Sequence, residues 1–521
     1  MSAKQRYDIL ASDRSQYLNI ARQASELTIP YLVHEDDNAT GARTLKTPWQ
    51  SVGAKGVVTL AAKLMLSLLP PQTSFFKLQV DESRLGEYGP KIKSELDLAF
   101  AKVERTILEQ IAASDDRVVV HQAMKHLVVA GNALIFMGKN GLKLFPLNRY
   151  VIDRDGNGNV IEIVTKEIIN KKVIEELVPD LKKGEVTEYD DEGRKDCDVY
   201  THVTVKNNKV SWHQEVYGKI IPKSISKAPS DISPWLPLRF NTVDGEGYGR
   251  GRVEEFMGDL KSLEALSQAL VEGSAAAAKV VFTVSPSAST KPATLAAAGN
   301  GAIIQGRPDD IGVVQVQKGN DFQTAYQAAG TLEKRLSEAF LILNVRQSER
   351  TTAEEVRMTQ MELEQQLGGL FSLLTVEFLV PYLDRKLSVL TKNKTIPPIP
   401  KDIVKPTIVA GINALGRGQD RESLTMFMQT IAQTVGPEAM MQFINPDEVI
   451  KRLAAASGID VLNLVKSMQE IQGQQQQQME QQMAMQDQQN APAMAAVEQK
   501  QMQAEMQAEM QMAQQQQQPP Q

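Results

Sequence analysis

Between residues 253 and 341 the chain has a pattern that few folds can satisfy. Residues 253–279 place Val253, Phe256, Leu260, Leu263, Leu266 and Leu270 at steps of three and four, which gives a helix with one apolar seam. Residues 321–341 read as helix again. The stretch between them, 280–319, holds short strand-like pieces (VVFTV, AIIQ, GVVQV) separated by Pro, Gly and Ser turns. The expectation is a helix hairpin that projects from a body and carries a small insert at its tip. The first helix closes in Ala275 to Ala278, small side chains that permit close packing. An apolar seam of this length needs partners. Either copies of the chain supply them, or the hairpin is buried within one monomer; periodicity alone leaves both open.

The body is mixed. Residues 4–29 read as a helix ended by Pro30, with Tyr7, Leu10, Tyr17, Ile20 and Leu27 as its buried stripe. A buried helix opens near Thr47-Pro48 and closes at Pro70-Pro71. Amphipathic helices follow at 90–112 and at 117–131, the latter ending at Gly131. The segments ALIFMG, LKLFPL, YVIDRD, NVIEIVT, CDVYTHVTV and KVSWHQEVY have strand character, arranged as hairpins and not as a βαβ series. Beyond ILNVRQSERTT, residues 353–390 read as a third long helix with Leu363, Leu367, Leu370, Leu374 and Phe378 as its seam. Gly368-Gly369 and Pro381 mark kinks in it. Pro397, Pro398, Pro400 and Pro406 mark a linker, and 407–470 a small helical domain. After residue 471 the chain is low in complexity: 22 of the last 51 residues are Gln and eight are Met, too few core formers to repay ordering by themselves.

At 521 residues the chain exceeds one ordinary core and implies two to four packing units. Its net charge of −6 is that of a chain that does not grip nucleic acid by massed phosphate neutralisation. The single cysteine, Cys197, allows no intramolecular disulfide and no zinc cluster, which fits a reducing, cytoplasmic setting. No secretory signal is evident, and the longest apolar stretch, Val57 to Pro71, is broken by Lys63, so no membrane is expected as a partner.

No catalytic constellation emerges. There is no G-x-x-x-x-G-K-[ST] phosphate loop, no H-E-x-x-H and no G-x-S-x-G. The run Gly245, Gly247, Gly249, Gly251 lacks the dinucleotide spacing and reads as a flexible turn feeding a helix. DRDGNGNV imitates the start of a calcium loop, but its twelfth position would be Val164 where a bidentate Glu is required. A hairpin turn at Asn157-Gly158 is the better reading. His121 and His126 lie five apart, about 140° round a helix, and form no metal pair. No enzyme activity, cofactor or metal is expected.

Several strings, in order, resemble the portal (head-to-tail connector) proteins of short-tailed podoviruses of the autographivirus type. They are TPWQSVGAKGVVTLAAKLMLSLLPPQT (47–73), HLVVAGNALIF (126–136), VDGEGYGRGRVEEFMGDLKSLE (243–264), ERTTAEEVR (349–357), LGGLFSLL (367–374) and PTIVAGINALGRGQD (406–420). The resemblance spans about three quarters of the chain; the Gln-rich tail lies outside it. It implies an α+β portal fold: an α/β wing (1–250 with 353–395), stem helices (251–279 and 320–341), a β-containing clip (280–319), a helical crown (396–470) and a low-complexity tail (471–521). It also implies a dodecameric ring at one capsid vertex of the virion, assembled in the host cytoplasm. The implied partners are terminase, tail adaptor, major capsid protein, scaffold and internal core proteins, and double-stranded DNA in the channel. In that family the loop after the second stem helix projects into the channel. Here it is 342–352, so Arg350, with Arg346 beside it, is the implied constriction. The residues themselves support another reading: Thr352 and Glu355 have capping-box spacing at the start of the next helix, and Arg350 then only pairs there, with Glu354 for example. The alternative function is a tail ring of adaptor type that does not itself pass DNA. A DNA-dependent enzyme is the remaining class, without a motif to support it.

Overall fold

The computed structural model describes residues 1–34, 45–70, 75–80, 89–139, 141–170, 172–173, 196–278, 281–314, 319–342, 369–397, 404–408, 425–434, 449 and 499–510. The chain divides into two units, Met1–Ala414 and Leu415–Gln521. Of the second, helices at 425–434 and 499–510 are described.

The first unit begins with α1 (Ala3–Glu26), α2 (Val52–Leu68), β1 (Phe76–Val80), α3 (Gly89–Ala112) and α4 (Asp116–Ala130). A run of strands follows: β2 (Asn132–Gly138), β3 (Gly141–Pro146), β4 (Tyr150–Arg154), β5 (Val160–Asn170), β6 (Asp196–Lys206), β7 (Lys209–Val216), β8 (Lys219–Ile220), β9 (Ser226–Pro229) and β10 (Trp235–Arg239). Next come α5 (Arg252–Glu255), α6 (Met257–Ala277), β11 (Val281–Val284), α7 (Pro292–Ala297), β12 (Ile311–Val314) and α8 (Gly319–Ala339). The unit closes with α9 (Val380–Lys392) and β13 (Val404–Ile408). The architecture is mixed helix and sheet, and among the described residues every strand pairing is antiparallel, as hairpin-like segments require.

One sheet has the order β10-β2-β3; another runs β4-β5-β6-β7-β8 with β9 also on β7. The main core gathers α2, α3, α4, β2, β10, the base of α6, the end of α8 and α9 around Leu60, Leu64, Leu127, Phe340, Phe378 and Tyr382. The β4–β5 hairpin turns at the false calcium loop. Asp155 accepts from the backbone N–H of Asn157 (2.9 Å) and Asn159 (2.7 Å), and Gly158 takes φ +81°, so the string forms the hairpin turn read for it.

One strand-like piece of the insert, AIIQ (302–305), is not a strand, and four further expectations change. The buried stripe of α1 runs Tyr7, Leu10, Arg14, Leu18, Ala21. It passes through Arg14 because that guanidinium serves the carbonyls of Leu147 (3.0 Å) and Tyr150 (2.8 Å) and the Tyr7 hydroxyl (3.0 Å). Tyr17 and Ile20 are only half-buried. Pro406, read as linker, lies in a strand: β13 pairs with β1 from Phe76↔Ile408 to Val80↔Val404, with Pro406 opposite Leu78. A two-stranded ladder has only edges, where proline is tolerated. The kink expected at Pro381 is a π-helical turn, Thr375–Leu379, joining the helical residues 369–374 to α9. A proline that lacks its N–H and crowds the preceding turn is accommodated by such widening. Residues 353–368 of the expected long helix lie outside the described residues. Finally, the glycine run is no flexible turn at its end. A Cβ on Gly249 would lie 2.7 Å from the Gly131 carbonyl oxygen, and one on Gly251 2.7 Å from that of Val129. These glycines allow backbone to touch backbone, and the Asn132 side chain locks the contact, donating to the carbonyls of Ala130 (3.0 Å) and Gly249 (2.7 Å) and accepting from Gly249 N–H (2.7 Å).

Candidate functional site: the helix hairpin and its insert

The hairpin that the sequence singled out exists as α6 and α8. Asp259, early in α6, pairs with Arg335, late in α8 (2.8 Å), whereas Gly273, late in α6, meets Phe322, early in α8. Contacts that advance along one helix and retreat along the other make the pair antiparallel. At Gly273 the Phe322 ring lies against α6, since a Cβ there would lie 2.5 Å from Phe322 Cε1.

The base of the hairpin is held by several independent contacts. Leu260, Leu263, Leu336 and Phe340 join the main core. Phe340 seats against Gly56 of α2, whose missing side chain makes the notch. Lys63 donates to the Leu341 carbonyl at 2.6 Å and Arg252 to the Ala339 carbonyl at 3.2 Å, so two cations satisfy carbonyls that the end of α8 leaves open. Burial holds the Lys63 ammonium below its usual pKa. Glu264 on α6 reaches back to accept from Trp49 N–H (2.9 Å) and Gln50 N–H (3.3 Å), next to the start of α2.

Away from the base the seam opens. Leu266 and Leu270 are half-buried, and Val271 and Tyr326 are exposed. The insert at the tip is a β11–β12 ladder, with Val281 opposite Val314, together with the short α7. Asp310 organises its turns: it accepts from Ser289 N–H (3.1 Å) and hydroxyl (3.0 Å) and from Arg307 N–H (3.4 Å), and these bonds hold its carboxyl below the ordinary range. Phe282 is 57% exposed and Val313 55%, and Ile303 is fully exposed. A unit this small that turns such side chains outward presents a contact surface in place of an interior.

The residues assigned to the channel or its cap, Arg346, Arg350, Thr352 and Glu355, lie outside the described residues. The structure does give the point from which that segment departs: Ile342, which is buried, just after the anchored end of α8. Sequence reasoning missed Lys63, Arg252 and Glu264, whose partners are remote carbonyls and amides; the spacing of Gly53 and Gly56 in an apolar helix was the available hint. Among the described residues no group of His, Cys, Asp and Glu is placed to hold a metal, and no helix is long and apolar enough to cross a membrane.

The profile of the family described as "Bacteriophage head to tail connecting protein" matches residues 1–464. The chain is 36% identical over 483 residues to the portal protein of Escherichia phage T7, covering 90% of this chain and 89% of that one. It is 38% identical over 477 residues to the portal protein of Enterobacteria phage T3, covering 89% and 88%. Among solved structures, a chain from the neck of an empty GTA particle aligns with a TM-score of 0.38 and 12% identity, over 79% of this chain and 90% of that chain.

Proposed function

Since the chain belongs to the bacteriophage head to tail connecting proteins, we propose that it is a portal subunit. In this reading twelve copies form a ring at one capsid vertex, and the genome passes through the ring on packaging and on ejection. The ring also serves as the platform on which terminase and then tail proteins dock. The observation that carries it is the α6–α8 hairpin, anchored at its base, with an apolar seam that one chain covers only in part and an insert whose large apolar side chains face outward. Neighbouring copies would cover the seam, because a closed ring repeats one heterologous contact around its axis.

The division of labour follows the same reading. Residues 1–250 with 353–395 would form the wing, 251–279 and 320–341 the stem, 280–319 the clip, 396–470 the crown and 471–521 a tail. The loop 342–352 would face the bore, with Arg350 and Arg346 as a ring of cations. Such a ring on an acidic protein holds a duplex briefly and lets it slide, where massed phosphate neutralisation would act as a brake. Catalysis belongs to the motor that docks, because the sequence carries no phosphate loop of its own.

Electron microscopy of the purified full-length protein tests this. Rings with a hole wide enough for a duplex are expected. A stable monomer at micromolar concentration that does not assemble even with its scaffold would overturn the reading.

A further inference from the structure

A pit of about 460 Å³ lies between the segment that follows α1, the middle of α4 and the turn from β3 to β4. Tyr31, His34, Lys125, His126 and Arg149 are in its lining, and no carboxylate is among the described residues that line it.

Other arginines of this unit are matched. Arg239 sits on Glu377 (2.6 Å), Arg6 on Glu162 (2.6 Å) and Asp153 (3.1 Å), and Arg250 on Glu246 and Glu254 (2.6 Å each). Among the described residues Arg149 has no carboxylate partner, and its Nη1 is buried with no hydrogen-bond partner, as is a guanidinium nitrogen of Arg14, Arg154, Arg252 and Arg385. His126, only 7% exposed, has a buried Nδ1 in the same condition. Burial, and then the nearby Lys125 ammonium, push the His126 imidazole down to about 4, so it is neutral at pH 7, while Lys125 and Arg149 bring positive charge to the pit. A buried donor left without an acceptor is costly. The Arg149 side chain that carries this donor lines the pit.

We propose that this pit is a socket for a carboxylate side chain carried on an acidic peptide segment of a partner protein. A guanidinium fork matches a carboxylate in bidentate fashion, and Lys125 adds a second charge. Tyr31, 65% exposed at the rim, and the apolar Leu32 and Pro146 suit the methylene groups of an incoming Glu. Tyr and Arg together have the composition of an interface anchor. A duplex is a poorer fit, because its evenly spaced phosphates call for a row of cations on an open face, not two in a recess. The socket lies within one chain, so it stands whether or not the ring reading holds.

The test is fluorescence anisotropy of the full-length protein with a labelled, C-terminally amidated peptide of alternating Glu and Ala, and with its Gln counterpart. The Glu peptide should bind, less tightly as salt rises, and the Gln peptide should not. Arg149→Gln should weaken binding on the order of tenfold or more, the scale for truncating one member of a desolvated charge pair. Lys125→Ala, a half-buried change on a helix surface, should weaken it severalfold without lowering the melting temperature. Failure of the Glu peptide to bind, or equal binding to wild type and both variants, overturns the proposal. Displacement of the peptide by inorganic phosphate or a short duplex at lower concentration than free Glu peptide would assign the pit to phosphate chemistry instead. Loss of oligomers in Arg149→Gln would assign it to contact between copies. Either result also overturns it.

Discussion

Phe340 fills the notch that Gly56 leaves in α2: a Cβ at position 56 would lie 2.7 Å from Phe340 Cγ and 2.8 Å from Phe340 Cβ. Those atoms are the root of a fully buried side chain, so rotation of the ring cannot relieve the clash. Gly56→Ala should therefore carry an overpacking cost of about 1–3 kcal/mol. Set against the roughly 1 kcal/mol that alanine gains over glycine in a helix, the net is a loss of up to about 2 kcal/mol. Thermal unfolding checks it. Gly273→Ala serves as the contrast, because there the clash is with the far end of Phe322, which can move, and a smaller loss is expected.

Asn132 ties together the glycine contact between α4 and the segment before α5. Asn132→Ala leaves the Gly249 N–H unpaired in the interior and removes the donor to two carbonyls, a loss of about 1–3 kcal/mol. Asn132→Asp should be at least as damaging. It can still accept from Gly249 but sets a carboxylate against the carbonyls of Ala130 and Gly249. Parallel melting curves decide the order.

His126 should make stability depend on acidity. Its folded-state pKa, about 4, is below the ordinary histidine value of 6.5, so the unfolded chain takes up the proton first as pH falls. The contribution is intact above pH 6.5, shrinks as pH falls from there towards 4, and levels off below. The slope approaches about 1.4 kcal/mol per pH unit for one proton. His126→Gln should flatten this part of the profile between pH 7 and pH 5. An unchanged slope would show that other groups dominate.

Arg350 separates channel from cap. If it faces the bore, Arg350→Ala and Arg350→Glu should form rings in normal yield but fail in packaging or in genome retention. If it serves only the start of the next helix, Arg350→Ala should cost well under about 1 kcal/mol and leave packaging intact. On that reading Thr352→Ala should cost about 1 kcal/mol through the lost cap. Ring yield and packaged DNA, measured together, distinguish the two.

The insert and the tail should part company in deletion. Replacing 280–319 by a short Gly/Ser linker should leave a folded protein that no longer binds the tail adaptor. Truncation after Gly473 should still give rings. Adaptor binding unchanged by the first deletion, or collapse caused by the second, would show the assignment of these segments to be wrong.

Where the chain is governed by near neighbours, its sequence was readable. The strands from β2 to β7 lie within a residue or two of the segments read for them, apart from the longer end of β5, and the β4–β5 turn falls at Asn157-Gly158 as read. The α6–α8 pair was readable because one seam repeats along it. The stripe of α1 was misplaced because its middle member is Arg14, a charge buried by carbonyls more than 130 positions away. Pro406 misled for the same reason: nothing local to VKPTI announces a partner at Phe76–Val80. The anchors Lys63, Arg252 and Glu264 are ordinary surface-type residues in sequence, and only the tertiary fold makes them specific.

The β1–β13 ladder has a consequence in time. Phe76 pairs with Ile408, so the ladder cannot form until residue 408 of 521 has been synthesised. Closing so long a loop adds little to its entropic cost, which grows only with the logarithm of length, but it does fix the order of events. Every other described strand pairing of the first unit joins segments nearer in sequence and can form earlier on the ribosome. This pairing is thus made after the hairpin and its insert have been synthesised, and a nascent chain stalled before residue 404 would carry the hairpin without the strand that pairs with β1.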